Sequence, residues 1–252
     1  MLLLQTEHLD MRFGGLSALE DLNLAVPAGG LYGLIGPNGA GKTTVFNLIS
    51  GFVRPTSGRV LVDGTDVTGE PPHRLTALGI ARTFQNIRLF AELSVLDNVL
   101  VGYYCRSRAT WIEAILRLPR YHREAKAHRS KGLRLLEEVG LAHAAELPAG
   151  TLPYGHQRAL EIARALATGP RLLLLDEPAA GLNPAETQEL IEFIREIKER
   201  YNLTIMVIEH NLRLVMGLCQ HLTVLDHGLT IAQGAPSEVK RNPQVIRAYL
   251  GK

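Results

Sequence analysis

Cysteine is scarce: the 252 residues hold only Cys105 and Cys219, which form no Cys-x-x-Cys pair and stand in no nucleophile motif. That usage suits a reducing compartment, and both are expected to be packing residues. Long apolar runs are missing too. A membrane-spanning helix needs roughly 20 consecutive apolar residues, whereas Leu172 to Leu175 and Ile205 to Ile208 are broken within a few positions. Charge of one sign is also lacking, since 27 Lys and Arg face 25 Asp and Glu for a formal net charge of +2. A dedicated nucleic-acid binder carries a basic footprint on the scale of the whole domain, and none is present. The amino end, Met1 to Glu7, has neither a charged leader nor a sustained apolar stretch, so a cytoplasmic location is expected. What is present is 46% apolar residues with 24 Gly and 13 Pro, the make-up of an ordinary globular chain. At this length roughly 70–75% of the unfolded chain's surface is buried on folding, enough for a core without disulfides or structural metal.

Three short apolar runs, Leu31 to Ile35, Leu172 to Leu175 and Leu203 to Ile208, read as buried parallel strands. Val45, Leu48, Ile49 and Phe52 fall on one helical stripe that closes near Gly51. Asn183-Pro184-Ala185-Glu186 supplies an N-cap, a first-position proline and a capping-box glutamate, so a helix starts there and runs through Leu190, Ile194, Ile197 and Tyr201. Leu22 to Val26 alternates, and Arg59 to Val62 runs into the turn pair Asp63-Gly64, which predicts an antiparallel patch in the first 65 residues. From about Ser94 to Gly140 no strand pattern occurs, and Ser94 with Asp97 opens a helical lobe. The expected class is α/β: a mostly parallel sheet, an N-terminal antiparallel β patch and an inserted α-helical lobe. Residues 1–93 and 160–252 would form the core and about 94–159 the lobe.

Gly36, Pro37, Asn38, Gly39, Ala40, Gly41, Lys42 and Thr43 match GxxxxGK[ST], after a strand and before a helix, the context that a phosphate loop requires. Its glycines let backbone N–H groups turn inward around phosphate oxygens, and the helix dipole adds to them. Lys42 supplies a charge for the terminal phosphates, Thr43 a hydroxyl for Mg²⁺, and Thr44 follows as part of the binding loop. Asp176 and Glu177 are adjacent carboxylates at the carboxyl end of the run Leu172 to Leu175, where open α/β sheets bind ligands. Asp176 is expected in the Mg²⁺ shell and Glu177 as the base that polarises water.

The order of this loop, Gln85, the turn Leu152-Pro-Tyr-Gly-His156-Gln157, Asp176-Glu177-Pro178 and His210 resembles that of ATP-binding cassette proteins over essentially the whole chain. The resemblance implies a P-loop NTPase core, a transporter ATPase subunit, and ATP with Mg²⁺ as its ligands. It further implies that Phe13 stacks on adenine, that Gln85 reaches Mg²⁺ and the attacking water, and that His210 contacts the terminal phosphate. Leu152, Pro153, Tyr154, Gly155 and His156 would complete a site on a partner subunit. Taken singly, Phe13 fits a core position, Gln85 a surface amide and His210 a buried histidine; only their order around the loop singles them out. Two departures stand out: Pro153 and Tyr154 replace the Ser and Gly of the LSGGQ pattern, and Asn183 stands where Asp is usual. The missing hydroxyl leaves Gly155 and the start of a helix from about Gln157 to make a weaker contact across the dimer.

Gly51 to Gly58, Arg82 to Phe90, Pro178 to Pro184 and the tail Asn242 to Gly251 are similar to one ATPase subunit of branched-chain amino-acid importers. That similarity implies a second ATPase subunit, alike or different, two permease subunits, an indirect link to a periplasmic or surface substrate-binding protein, and a peripheral place on the cytoplasmic face of the inner membrane. The alternatives are a related urea or lipopolysaccharide transporter and a cassette ATPase acting on nucleic acid or the ribosome. The latter usually has two cassettes or a coiled-coil insertion, and no nucleic-acid partner is expected here. A P-loop kinase or GTPase is disfavoured because no guanine-reading Asn/Thr-Lys-x-Asp pattern occurs. Between Gly102 and Gly132 eight Lys or Arg (106, 108, 117, 120, 123, 126, 129, 131) face Glu113 and Glu124. This is either a solvated helical face or a contact with anionic lipid or permease loops. Ile87, Leu89 and Phe90 are either core residues or a docking cluster for the membrane partner.

Overall fold

The computed structural model describes residues 1–107, 111–116, 118–210 and 212–250; Arg108, Arg117 and Gly251, named above, lie outside them. The chain divides into two compact units, Met1–Gln85 with Arg171–Lys252, and Asn86–Pro170.

In the first unit, β1 (Leu2–Phe13) and β2 (Leu16–Pro27) form a hairpin, followed by β3 (Leu31–Ile35) and the helix α1 (Lys42–Ile49). Strands β4 (Ser57–Val62) and β5 (Thr65–Asp66) make the expected hairpin across Asp63-Gly64, and β4 also pairs with β1, giving the antiparallel order β2-β1-β4-β5. After the short helix α2 (Pro72–Ala77) come β6 (Ile80–Arg82), β7 (Leu172–Asp176), β8 (Thr204–Ile208), β9 (His221–Asp226) and β10 (Leu229–Gly234). The second sheet has the order β10-β9-β3-β8-β7-β6, parallel throughout except for the β9–β10 hairpin. Every residue of β7 and β8 is buried, which explains why both read as unbroken apolar runs rather than alternating ones. Leu4, Leu22 and Val60 of the first sheet share one core with Leu34, Leu174 and Met206 of the second and with Phe46 and Ile49 of α1.

In the second unit, Ser94 caps α3 (Val95–Tyr104) by accepting from the Asp97 N–H at 2.9 Å. The helices α4 (Trp111–Ile115), α5 (Pro119–Glu138) and α6 (Tyr154–Ala167) follow, with α3 packed on both α5 and α6. This helical unit reaches beyond 94–159 at both ends. Because α6 packs on α3, it stays with the unit to its last turn. At the other end, buried Asn98 accepts from the Phe90 N–H at 3.0 Å and donates back to the Phe90 carbonyl at 3.0 Å, which ties the residues after Gln85 to α3.

The remaining helices, α7 (Pro184–Tyr201), α8 (Leu212–Leu218), α9 (Pro236–Val239) and α10 (Pro243–Leu250), belong to the first unit. The α7 start is a full capping box: Asn183 Oδ1 accepts from the Ala185 and Glu186 N–H groups, and Glu186 accepts from the Asn183 N–H at 2.8 Å. Three local expectations are corrected. The α1 stripe stops at Ile49, since Gly51 adopts φ +75°, and Phe52 is left half-exposed with its ring edge-on to Phe84. Helix α6 begins at Tyr154 rather than about Gln157, because Pro153 serves as N-cap with φ −55° and ψ 152° and the ring pre-sets that angle. Cys219 is buried as expected, whereas Cys105 is exposed.

Candidate nucleotide-binding site

Strand β3 delivers the chain into the loop 36–41, and α1 starts at Lys42. Gly36 (φ +151°) lies so close to β9 that a Cβ there would sit 2.1 Å from the Leu225 carbonyl oxygen. Gly41 (φ +101°) is the α1 N-cap in a left-handed conformation and approaches the Ala18 carbonyl. Both positions require glycine, and together they form a loop whose amides and helix start are open to an anion. Lys42 is buried, and its Nζ donates to the Gly36 and Pro37 carbonyls at 2.8 Å each, so the ammonium closes the loop on itself. Burial lowers the Lys42 pKa, and the nearby carboxylates of Glu177 and Asp176 oppose that shift.

At the end of β7 the two acids separate. Asp176 is buried and paired with the buried Arg82 guanidinium, Nη2 to Oδ2 at 2.8 Å. Glu177 takes the left-handed φ of +46° and donates its N–H to the Ile208 carbonyl at 2.9 Å. Its Oε2 accepts from Gln85 Nε2 at 2.9 Å and lies 3.6 Å from His210 Nδ1. A cavity of about 520 Å³ is lined by Phe13, Leu16, Ser17 and Ala18, residues 38–44, Gln85, Glu177, His227 and Gly228. Phe13, one of these lining residues, is half-exposed.

Among the residues expected from the sequence, Phe13, Asn38 to Thr44, Gln85 and Glu177 are brought to one cavity. Gly36 and Pro37 do not line it but accept from Lys42 Nζ, which does, and Asp176 is buried and does not line it. The turn Leu152 to His156 lies in the other unit. There Leu152 is buried and its carbonyl accepts from Gln157 Nε2 at 2.8 Å. Tyr154, Gly155 and His156 form the first turn of α6, so their N–H groups have no intrahelical acceptor. A Cβ on Gly155 would meet nothing within 4 Å. The Tyr154 hydroxyl accepts from Arg158 Nη2 at 3.2 Å, and Arg158 is paired with Glu161 in the interior.

Sequence reasoning missed Arg82 as a partner of Asp176 and missed the fully buried Glu209, whose Oε1 accepts from the Ala179 N–H at 2.8 Å and holds the turn after Glu177. It also missed His227, on the β9–β10 turn that flanks the cavity. The charge of Glu209 beside His210, at the end of an apolar strand, was the one available signal.

A model of the ABC transporter family matches residues 19–180, and one described as branched-chain amino acid ATP-binding cassette transporter matches residues 230–252. The chain is 44% identical over 250 residues to the high-affinity branched-chain amino acid transport ATP-binding protein BraF of Pseudomonas aeruginosa, covering 99% of this chain and 98% of the relative. LivG of Escherichia coli K12, with the same description, gives the same identity and coverage. Among solved structures, the ADP conformation of MJ1267, an ATP-binding cassette of an ABC transporter, superposes with a TM-score of 0.85 at 33% identity over all of both chains. With a family model spanning more than half of its residues and relatives 44% identical over 99% of its length, this chain belongs to the ABC transporter family and is one of its ATPase cassettes.

Proposed function

We propose that this chain binds ATP with Mg²⁺ in the cavity beside Lys42 and hydrolyses it to power import of branched-chain amino acids. The observation that carries the catalytic part is the position of Glu177, whose Oε2 is held at 2.9 Å by Gln85 at the edge of the phosphate-loop cavity. The loop amides and Lys42 bind the phosphates, and Phe13 receives the adenine. Thr43, Gln85 and Asp176 offer a hydroxyl, an amide oxygen and a carboxylate, hard oxygen donors that fit Mg²⁺. When bound, the ion neutralises charge on the terminal phosphates. Glu177 Oε2 takes the proton from the attacking water and Gln85 orients that water; His210, whose Nδ1 lies 3.6 Å from the same oxygen, is proposed as a donor to the terminal phosphate. The open face of Gly155 and the free amides of Tyr154, Gly155 and His156 support their use by a second ATPase subunit's nucleotide, without the usual serine hydroxyl.

The tail match at 230–252 and the relatives named above favour branched-chain amino acids over urea or lipopolysaccharide. The working complex then contains two permease subunits and receives substrate from a binding protein, with this chain on the cytoplasmic face of the membrane. Glu177→Gln tests the central claim: ATP affinity should stay nearly unchanged while hydrolysis falls about 10²–10⁴-fold. Lys42→Ala should instead weaken ATP binding itself. Normal turnover by the Glu177→Gln protein would remove Glu177 from the reaction.

A further inference from the structure

Between Tyr104 and Arg134 the described residues expose several large apolar side chains. On α4 and just beyond it, Ile112, Ile115 and Leu116 are 49%, 71% and 63% exposed. Their spacing of i, i+3 and i+4 puts them on one helical face, and Leu118, two residues on, is 39% exposed. The adjoining α5 buries His128, Gly132, Leu135 and Leu136 on one side, while Arg123, Lys126, Lys131 and Arg134 are exposed. The acidic groups facing this region are few. Glu113 is paired with Arg120 at 3.4 Å, and Glu124 is turned toward His128 and half-buried. Glu146 holds Arg129 at 2.6 Å. The exposed Glu137 and Glu138 stand at the far end of α5, about 27 Å from its start at the 1.5 Å rise of a helix. The end of α5 beside the apolar face is therefore the positive one.

We infer that this face, Ile112, Ile115, Leu116 and Leu118 with Arg123 and Lys126, docks on the surface of an anionic lipid bilayer. An exposed apolar stripe rimmed by cations is the pattern of an element that lies in the headgroup region. Charge chooses between the two surfaces found on the cytoplasmic side of a membrane. Cytoplasmic loops of membrane proteins carry an excess of Lys and Arg, which Arg123 and Lys126 repel, whereas the cytoplasmic leaflet is negative and attracts them. The inference rests on the proposed function only in that a transporter subunit is held where such a leaflet is within reach.

The test is co-sedimentation of the full chain with vesicles of phosphatidylcholine alone and of equal parts phosphatidylcholine and phosphatidylglycerol, at low and high salt. Binding is expected to the mixed vesicles only and to weaken with salt. Each basic residue near the surface contributes about fivefold, so Arg123→Glu with Lys126→Glu should lower partitioning by about a hundredfold or more. Ile115→Ser with Leu116→Ser should also lower it, and both pairs, being exposed, should leave the melting temperature and ATP affinity unchanged. Equal binding to both vesicle types, no binding, or binding unchanged in both variants overturns the inference. So does binding to solubilised permease subunits through these residues by a chain that ignores vesicles. Vesicle binding needs no hydrolysis, so an inactive chain that partitions, or an active one that does not, separates this inference from the proposed catalytic function.

Discussion

Replacing Arg82 by methionine should destabilise the fold by about 3–5 kcal/mol, the cost of leaving one partner of a buried ion pair alone. The side chains of Arg82 and Asp176 are 5% and 4% exposed and meet at 2.8 Å, so water cannot take the place of the lost guanidinium. The same guanidinium donates to Asn47 Oδ1 at 2.8 Å and Ser50 Oγ at 3.0 Å. It lies 5.1–5.8 Å from the ring centroids of Phe46, Phe52 and Phe84. Methionine keeps an unbranched apolar side chain at the position, so the change removes the guanidinium with its charge, its hydrogen bonds and its contacts with those rings. At roughly 2–4 °C per kcal/mol for a chain of this size, the melting temperature should fall by about 6–20 °C. Arg82→Lys should fall between the two proteins, since it restores a charge and loses the planar fan of donors. The control is Arg171→Met: Arg171 pairs with Asp63, but its side chain is 54% exposed, and an exposed pair contributes about 0–1 kcal/mol. Urea unfolding followed by circular dichroism measures all three. A loss below about 1 kcal/mol for Arg82→Met, equal to that of Arg171→Met, would refute the view that burial makes this pair different.

Two further outcomes are expected. Burial pushes the Cys219 thiol up to about 12, so it stays protonated and enclosed, and a thiol reagent at neutral pH should label the exposed Cys105 alone until the protein is unfolded; two labels on the native chain, seen by mass spectrometry, would contradict this. Asp10 accepts from the Asp21 N–H at 2.7 Å and from the Ser57 hydroxyl at 2.6 Å, which lowers its pKa below the ordinary 3.8. Its contribution is therefore present above that value and lost as pH falls through the folded one, so Asp10→Asn should flatten the acid-side loss of stability, by less than about 1 kcal/mol at so exposed a site; an acid limb with the same slope in both proteins would contradict it.

Features encoded by neighbouring residues were the legible ones. The Asn183 capping box, the Ser94 cap and the Asp63-Gly64 hairpin each depend on residues within four positions, so local chemistry was enough to find them. The strands β7 and β8 were legible because burial on both faces leaves no polar position to interrupt the pattern. The misreadings came where a turn or a helix end, rather than the side-chain pattern, decides. Phe52 continues the α1 periodicity in sequence, but Gly51 turns the chain and the Phe84 ring receives it. Pro153 looked like the loss of a contact, whereas its fixed backbone angle makes it the cap from which α6 begins. Cys105, read as a packing residue, ends α3 in its exposed last turn.

The candidate site shows the same division on a larger scale. Residue types and local spacing identified Lys42, Asp176 and Glu177, but which side chains meet is a matter of sheet register, and register is non-local. In the pairing of β6 with β7, Arg82 stands opposite Leu174. Three residues beyond each of these come Gln85 and Glu177, which arrive within 2.9 Å of each other. In the pairing of β7 with β8, Asp176 stands opposite Ile208. The Glu177 N–H then closes on the Ile208 carbonyl, and His210, two residues on, comes to 3.6 Å from the same carboxylate oxygen. A slip of one residue in either pairing would turn every side chain of that strand to the opposite face, separating Glu177 from Gln85 or from His210. The apolar run Leu172 to Leu175 of β7 has no face preference of its own to prevent such a slip. The buried pair of Arg82 and Asp176 favours the observed register of β6 on β7, because a slip would leave a buried charge without its partner.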